Sequence, residues 1–201
     1  MLRYSLCALL LLAGLPSLSA QAAGIADGIK AAHAPQLSHR AVYKLSLAPK
    51  PSPSSQVAGV EGRMVMEWRE TCDGYIAEQR IVTNSMDEIG SNSISDISAS
   101  SWEALDGKKF RFSMRQRLDN ELVQEYEGSA EIDAASGAGV ASVRKPAPKN
   151  IKLPAGIIFP TAHLKAILAA ARSNRKTDAH PVFDGASETD YYHVVSSIGA
   201  L

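Results

Sequence analysis

The sequence predicts a mainly β protein, a strongly curved or barrel-like antiparallel sheet with one α-helix packed on its apolar face. Segments of alternating apolar and polar residues recur along most of the chain, as in strands that are buried on one side. Asp-Gly and Asp-Asn pairs separate several of these segments and favour tight turns. One segment near the C-terminus has the 3.6-residue period of a helix instead, so the helix joins an otherwise β-rich fold.

The chain begins with two segments that are expected to lie outside this sheet. Residues 1–22 combine the basic Arg3, an apolar run and small residues up to Ala22, which together predict a cleaved signal peptide. A transmembrane anchor would need about 20 apolar residues, and this run is shorter. Residues 23–38 are rich in alanine and predict a mobile arm. We therefore expect residues 39–201 to form a single β-rich domain in an oxidising compartment, the periplasm.

The clearest strand is predicted over residues 57–69, where apolar side chains alternate with Glu and Arg. Asp73-Gly74 follows as a hairpin turn. A serine-rich stretch predicts at most one irregular strand around Ile94 and Ile97. The other predicted strands have the same alternation and cover residues 40–48, 75–83, 110–115, 122–132, 140–143, 181–184 and 191–198.

Prolines interrupt this pattern twice, at residues 49–56 and 145–156. Because proline removes a backbone donor, both segments are predicted to be connectors. The helix is predicted over residues 162–172, with Thr161 as its N-cap. Arg172 lies at its C-terminal end, where the helix dipole favours a cation.

Five apolar residues are predicted to share the face between the sheet and the helix. This face would serve as hydrophobic core or as a surface for an apolar ligand. Its members are Met64, Met66, Trp68, Leu164 and Leu168.

Composition excludes some classes of function. The whole chain has 21 basic and 21 acidic side chains, and loss of residues 1–22 would leave one more acid than base. No strong positive field is available to attract nucleic acid. The sequence also lacks the serine-hydrolase elbow, the phosphate-binding loop and the zinc-protease motif, and no cofactor is expected.

Cys72 is the only cysteine apart from Cys7, which lies in the predicted signal peptide. A nucleophile would need a base and a lowered pKa, but the neighbouring charges at Glu70 and Asp73 are acidic. A metal ligand would need companions at short spacing, and none is present. A buried structural thiol and a disulfide, intermolecular or with a missing partner, remain open, and the compartment favours the disulfide.

Other polar candidates favour structural roles. His163 suits a polar residue at the first helical turn, and His180 with His193 would need a third ligand to bind a metal. Pairs of acidic residues could serve glycoside chemistry, but they are more typical of solvated edges and turns. The two tryptophans are more typical of the hydrophobic core. These residues are Glu67 with Glu70, Asp87 with Glu88, and Trp68 with Trp102.

Four stretches, taken in order, resemble the EipB family of periplasmic cell-envelope integrity proteins. They are HRAVYKLSLA (39–48), VAGVEGRMVMEWRETCDGY (57–75), KLPAGIIFPTAHLKAILAAAR (152–172) and VFDGASETDYYHVVSSIG (182–199). The resemblance implies a spiral-like, nearly barrel-shaped sheet that wraps a helix. It also implies a role in maintaining the envelope, with no established enzymatic activity or ligand.

The same resemblance implies a partner for Cys72, since it matches a family cysteine that forms a disulfide with another cysteine near the family's C-terminus. Members of the family continue beyond the equivalent of residues 198–199, so this chain is expected to lack its C-terminal strands and that partner. Loss of such a disulfide typically costs about 2–4 kcal/mol. We therefore expect a less stable protein, or one that associates through its last strand.

Three hypotheses for function follow from these features. The first is a non-enzymatic protein that supports the envelope by binding a partner protein or an apolar envelope molecule. The second is a carrier or sensor of lipid or lipoprotein, with the ligand between sheet and helix. The third, a hydrolase of envelope polymers, lacks a catalytic constellation in the sequence.

Overall fold

Alternating apolar side chains form strands in the computed structural model, which describes residues 37–48, 57–186 and 190–199. The predicted signal peptide and most of the predicted arm lie outside these residues. The described strands are β1 (His39–Ser46), β2 (Val57–Glu70), β3 (Gly74–Asp87), β4 (Asn92–Ala104), β5 (Lys109–Leu118), β6 (Glu121–Ile132), β7 (Gly139–Lys145), β8 (Lys149–Leu153), β9 (Thr177–Val182) and β10 (Tyr192–Ser197). Helix α1 (Pro160–Arg172) lies between β8 and β9.

The first eight strands form one antiparallel sheet in the order of the chain, from β1 to β8. Strands β9 and β10 form a separate antiparallel pair. A parallel bridge between Ile158 and Val182 connects the segment before α1 with the end of β9. The predicted class, a curved antiparallel sheet with one helix among the described residues, is thus confirmed, and the sheet is not a closed barrel.

The turns follow the predicted pairs, with one difference. Asp119 and Asn120 have φ values of 50° and 70°, which suits the tight turn between β5 and β6. Between β2 and β3, however, the turn covers residues 71–73, and Gly74 begins β3. A Cβ at Gly74 would lie 2.4 Å from the carbonyl oxygen of Glu103. Gly74 therefore permits the close approach of β4.

Four elements differ from their predictions. Strand β9 covers Thr177–Val182 and not the predicted residues 181–184. The serine-rich stretch that predicted one irregular strand forms the end of β3 and the whole of β4, because small polar residues pair as well as apolar ones. The predicted connector 145–156 contains β8, whose Ile151 and Leu153 are buried. Thr161 is not the N-cap of α1, because the helix begins at Pro160, a favoured first helical residue.

The hydrophobic core lies between strands β5 to β8 and the segments on either side of α1. Phe110 and Phe159 are almost fully buried, with their ring centroids 5.0 Å apart. Phe183 meets Phe112 edge-on at 5.6 Å. Burying such rings typically contributes about 1.5–3 kcal/mol each, so this cluster fixes the chain against one half of the sheet.

Candidate binding face

The strand register assigns alternate residues to one face of the sheet, here called the inner face. Helix α1 and the segments 157–159 and 182–183 pack on this face, since Phe159 stacks on Phe110. Glu103 extends from the same face toward the start of α1. Residues opposite each other in the register share a face, so the rest of the inner face can be followed from strand to strand.

Strands β5 to β8 contribute the closed half of the inner face. Nine of their inward side chains are at most 8% exposed. They are Phe110, Phe112, Tyr126, Ala130, Ile132, Ala141, Val143, Ile151 and Leu153. With Ile157, Phe159 and Phe183, they form one cluster, so this half serves as hydrophobic core.

Helix α1 is seated on the sheet by a buried carboxylate. Glu103 is 3% exposed and accepts hydrogen bonds from the backbone N–H groups of Thr161 and Ala162, at 2.7 Å and 2.9 Å. A carboxylate suits the positive end of the helix dipole. Burial nevertheless raises the pKa of Glu103, against the lowering effect of the hydrogen bonds from Thr161 and Ala162. The ammonium of Lys165 lies 3.6 Å from the ring centroid of Tyr75, a second contact between α1 and the sheet.

Strands β1 to β4 contribute the open half of the inner face. Tyr43, Met64, Ile81 and Ile97 lie opposite one another on successive strands and form a continuous apolar row. Tyr43 is 46% exposed, and the other three are partly exposed. Because no described segment buries this row as the core cluster buries the closed half, it is the largest apolar part of the inner face that a ligand could contact.

A small cavity lies at the border of the closed half. Its volume is about 210 Å³, and its walls include the buried Phe112, Tyr126, Val143 and Phe183. Lys149, whose side chain is 44% exposed, also lines it. The cavity is therefore apolar inside and has a cation where it opens to solvent.

The outer face of the sheet has a different character. Arg80 binds Asp96 through two contacts, at 3.1 Å and 2.7 Å, and both Lys145 and Arg115 contact Glu125 at 2.8 Å. These hydrogen bonds lower the pKa values of both carboxyl groups. Opposite charges thus compensate each other on this face, as is typical of a solvated surface.

The apolar residues predicted to share one face are divided by the structure. Met64 and Met66 lie on the open half, partly exposed, whereas Trp68 is buried and stacks on Tyr75 at 5.3 Å. The hydrogen bond from Gln79 Nε2 to Met64 Sδ, 3.7 Å long, places a polar group beside the methionines. The open half is therefore predominantly, but not entirely, apolar.

Leu164 and Leu168 do not belong to the core, contrary to one of the two predicted roles. They are 37% and 39% exposed. The helix is buried through Thr161 and Ala170 instead, because small residues let it approach its neighbours closely. Sequence periodicity alone did not indicate which side of α1 faces the fold.

Cys72 is exposed in the turn between β2 and β3 and forms no disulfide within the described part of the chain. Its exposure excludes the alternative of a buried structural thiol. Thr71 Oγ1 donates to Asp73 Oδ1 and to the carbonyl of Gly74, each at 2.8 Å. These bonds fix the turn around Cys72, while its disulfide stays a prediction.

The structure does not bring together His180 and His193, the two histidines considered as metal ligands. His193 lies opposite Pro181 and His180 opposite Val194, so the two histidines point to opposite faces of the β9–β10 pair. His180 instead approaches His163 of α1, with ring centroids 6.4 Å apart. This contact was not predicted, because no local pattern relates residues on α1 to residues on β9.

Asp178 completes a polar junction between α1 and β9. Its side chain is 2% exposed and lies 3.1 Å from Arg175 Nη1 and from His180 Nε2. Asp178 Oδ2 has no hydrogen bond of good geometry, so its contact with His180 is an ion pair only when the histidine is protonated. Burial, followed by the charge of His180, lowers the pKa of His163. No group of three or more potential metal ligands occurs among the described residues.

The remaining polar candidates have structural contacts. Glu67 pairs with Arg69 at 2.8 Å, and Asp87 accepts from the backbone N–H of Ile89 and Ser91 in the β3–β4 turn. Trp102 pairs with Arg111 across β4 and β5, and the guanidinium lies 5.0 Å from its ring centroid. None of these residues lines the cavity.

No helix within residues 37–48, 57–186 and 190–199 has the length and apolar character needed to cross a bilayer.

Comparisons with known proteins agree on one family. A family model described as EipB-like matches residues 30–201. The chain is 34% identical over 171 residues to the cell envelope integrity protein EipB of Brucella abortus (strain 2308), covering 84% of this chain and 59% of that protein. It is also similar to a crystal structure from Brucella abortus, described as a beta-barrel-like protein of domain of unknown function DUF1849. The TM-score is 0.70 and the identity 31%, over 79% of this chain and 64% of that one. This chain thus spans about three-fifths of the length of the relatives it matches.

Proposed function

This chain belongs to the EipB-like family, and from that membership we propose that it supports the integrity of the cell envelope from the periplasm. It does so without catalysing a reaction, by binding an apolar envelope molecule or a partner protein on the open half of its inner face. The relative's described role in cell envelope integrity supports the first part. The apolar row of Tyr43, Met64, Ile81 and Ile97 supports the second.

The row is the observation on which the binding function depends. Folded proteins seldom leave contiguous apolar surface exposed unless it has a binding role. Four neighbouring strands contribute one apolar side chain each, so the surface is rigid and continuous. Such a surface favours an extended apolar partner. It offers few polar groups that could form hydrogen bonds with a compact polar molecule.

A hydrolytic function has less support. The walls of the cavity contain no carboxylate, histidine, serine or cysteine. One member of each acid pair suggested by the sequence has other contacts, Glu67 with Arg69 and Asp87 with turn amides. A catalytic pair would need two such groups within hydrogen-bond reach of one cleft.

Carriage of lipid or lipoprotein is a second candidate function, and the cavity of about 210 Å³ beside Phe183 favours it. A carrier must enclose part of its cargo, which the open half alone does not do. The two functions share the inner face and differ in whether the bound molecule leaves again on transfer to an acceptor membrane.

The proposed function is tested by replacing two members of the row, Ile81→Gln together with Ile97→Gln. The control is Val82→Gln, since Val82 lies opposite Asp96 on the outer face of the same strand. In a strain that lacks the gene, the control variant should restore resistance to detergent, and the double variant should not. Equal expression and equal Tm of the two proteins show that folding is intact. Full rescue by the double variant would reject the open half as the functional surface.

A further inference from the structure

The cavity beside Phe183 has the features of a site for one slender apolar group. Its walls include Phe112, Val143, Ile151 and Phe183, none more than 8% exposed. The segment that closes it is held in place by aromatic contact, since Phe183 meets Phe112 at 5.6 Å. These contacts hold the walls of the cavity in place, so binding would require little rearrangement.

The volume restricts what can enter. Sites for drug-sized ligands are typically about 300–1,000 Å³, whereas this cavity is about 210 Å³. An apolar cavity of about 150 Å³ accepts a molecule as small as benzene. The cavity therefore suits part of a larger molecule, such as a short length of hydrocarbon chain.

Lys149 is the charged side chain among the residues that line the cavity. Ala147 is exposed, and the ammonium of Lys149 lies 3.9 Å from Asp190. An ammonium has three N–H donors, so a carboxylate or phosphate at the opening could contact Lys149 in addition to its partners within the chain.

The cavity and the open half belong to the same face of the sheet. Tyr126 lines the cavity and lies opposite Met114 on β5, which lies opposite Ala99 on β4. Met114 also packs against the core cluster. A chain longer than the cavity could therefore extend over Met114 and Ala99 toward Met66, with Gln79 between Ala99 and Met66.

We propose that the cavity binds the acyl chain of a single-chain anionic amphiphile, whose acid group contacts Lys149 at the opening. This inference rests on the proposed function and names the ligand class for the inner face. The chemistry is shared by a free fatty acid and by a lysophospholipid with a phosphate head, and the experiment separates them.

Binding is measured by calorimetry on the full chain with palmitate, with a palmitoyl lysophosphatidic acid and with uncharged hexadecanol. Ala147→Phe should weaken all three by about tenfold or more, because the new ring fills the opening. Lys149→Gln should weaken the two anions by about two- to fivefold, as expected for an exposed ion pair, and leave hexadecanol unchanged. The anion that binds with the higher affinity, palmitate or the lysophosphatidic acid, identifies the head group.

The matched control is Lys152→Gln, an exposed residue on the same strand that does not line the cavity. It should leave every affinity unchanged. Loss of affinity in the pair Ile81→Gln and Ile97→Gln, with no effect of Ala147→Phe, would reject the cavity and retain the proposed function. A wild-type chain that binds none of the three amphiphiles, but binds an apolar peptide at the cavity, would replace the amphiphile with a partner protein. No binding of any amphiphile would reject the cavity proposal, while the rescue experiment decides the proposed function separately.

Discussion

Gly185 allows the chain to pass directly over the ring of Phe112. A Cβ at this position would lie 2.4 Å from Cγ of that ring, and the φ of Gly185 is 67°. Gly156 has a similar φ of 82°, but nothing lies within 4 Å of its Cβ position. Gly156 needs glycine only for its left-handed backbone, whereas Gly185 needs it also because a Cβ would have no space.

Replacement of Gly185 by alanine should destabilise the protein more than the same change at Gly156. Gly156→Ala should cost about 1 kcal/mol, because only the left-handed backbone is strained. Gly185→Ala should cost about 2–4 kcal/mol, since overpacking against Phe112 is added. Urea denaturation measures both free energies of unfolding. Equal losses would mean that Phe112 moves aside freely.

The conformation of single residues was predicted best where it depends only on adjacent residues in the sequence. Asp119-Asn120 predicted a turn, and both residues have the left-handed backbone that a tight hairpin needs. Gly74 was assigned to a turn because it follows Asp73, but it serves the approach of β4. That role depends on a strand about 30 residues later in the chain, which no short sequence pattern can report.

Helix α1 depends on a carboxylate from a distant strand. Glu103 and Thr161 are 58 residues apart, whereas sequence rules for helix starts look only at adjacent residues. This is why Thr161 was predicted as the cap and Glu103 was not recognised. The exposed leucines of α1 were misassigned for a related reason, because the pattern gives stripes without saying which of them meets the sheet.

The raised pKa of Glu103 makes the stability of the protein depend on pH. The folded protein holds the proton of this carboxyl more tightly than the unfolded chain does. The stabilising contribution is therefore complete below the pKa of the unfolded chain and is lost as pH rises through the folded pKa. Glu103→Gln removes the titration, so its free energy of unfolding should change less than that of the wild type between about pH 4 and pH 7.

Urea denaturation at several pH values tests this expectation. Glu131→Gln is the control, because the side chain of Glu131 is 70% exposed in a 3.6 Å pair with Lys109 and such pairs contribute little. It should retain the pH dependence of the wild type. The same pH dependence in Glu103→Gln would show that another group is responsible.

The division of the inner face into a closed and an open half should appear in the protection of backbone amides. Strands β5 to β7 contain much of the core, whereas β1 and β10 contain no buried residue. Local opening is easiest where few apolar contacts must break. Hydrogen exchange followed by mass spectrometry should show the strongest protection in β5 to β7, and weaker protection in β1 and β10. Uniform protection across the sheet would contradict this division.

The sequence predicted the curved antiparallel sheet and its alternating faces, but not which half of the inner face is covered. Alternation in β2 is clear, and it placed Met64, Met66 and Trp68 together. Only Trp68 is buried, since coverage depends on where the segments 157–159 and 182–183 return to the sheet. That return is a tertiary arrangement of residues distant in sequence, so it follows from packing and not from local periodicity.

The order of strands in the sheet has a consequence for the speed of folding. Each strand from β1 to β8 pairs with the strand before or after it in the chain, so little chain entropy is lost in closing each hairpin. Isolated hairpins form in about 1–10 μs, and low contact order is associated with fast folding. The sheet can therefore assemble progressively from successive hairpins, faster than an all-β sandwich of similar size whose strands pair across long separations.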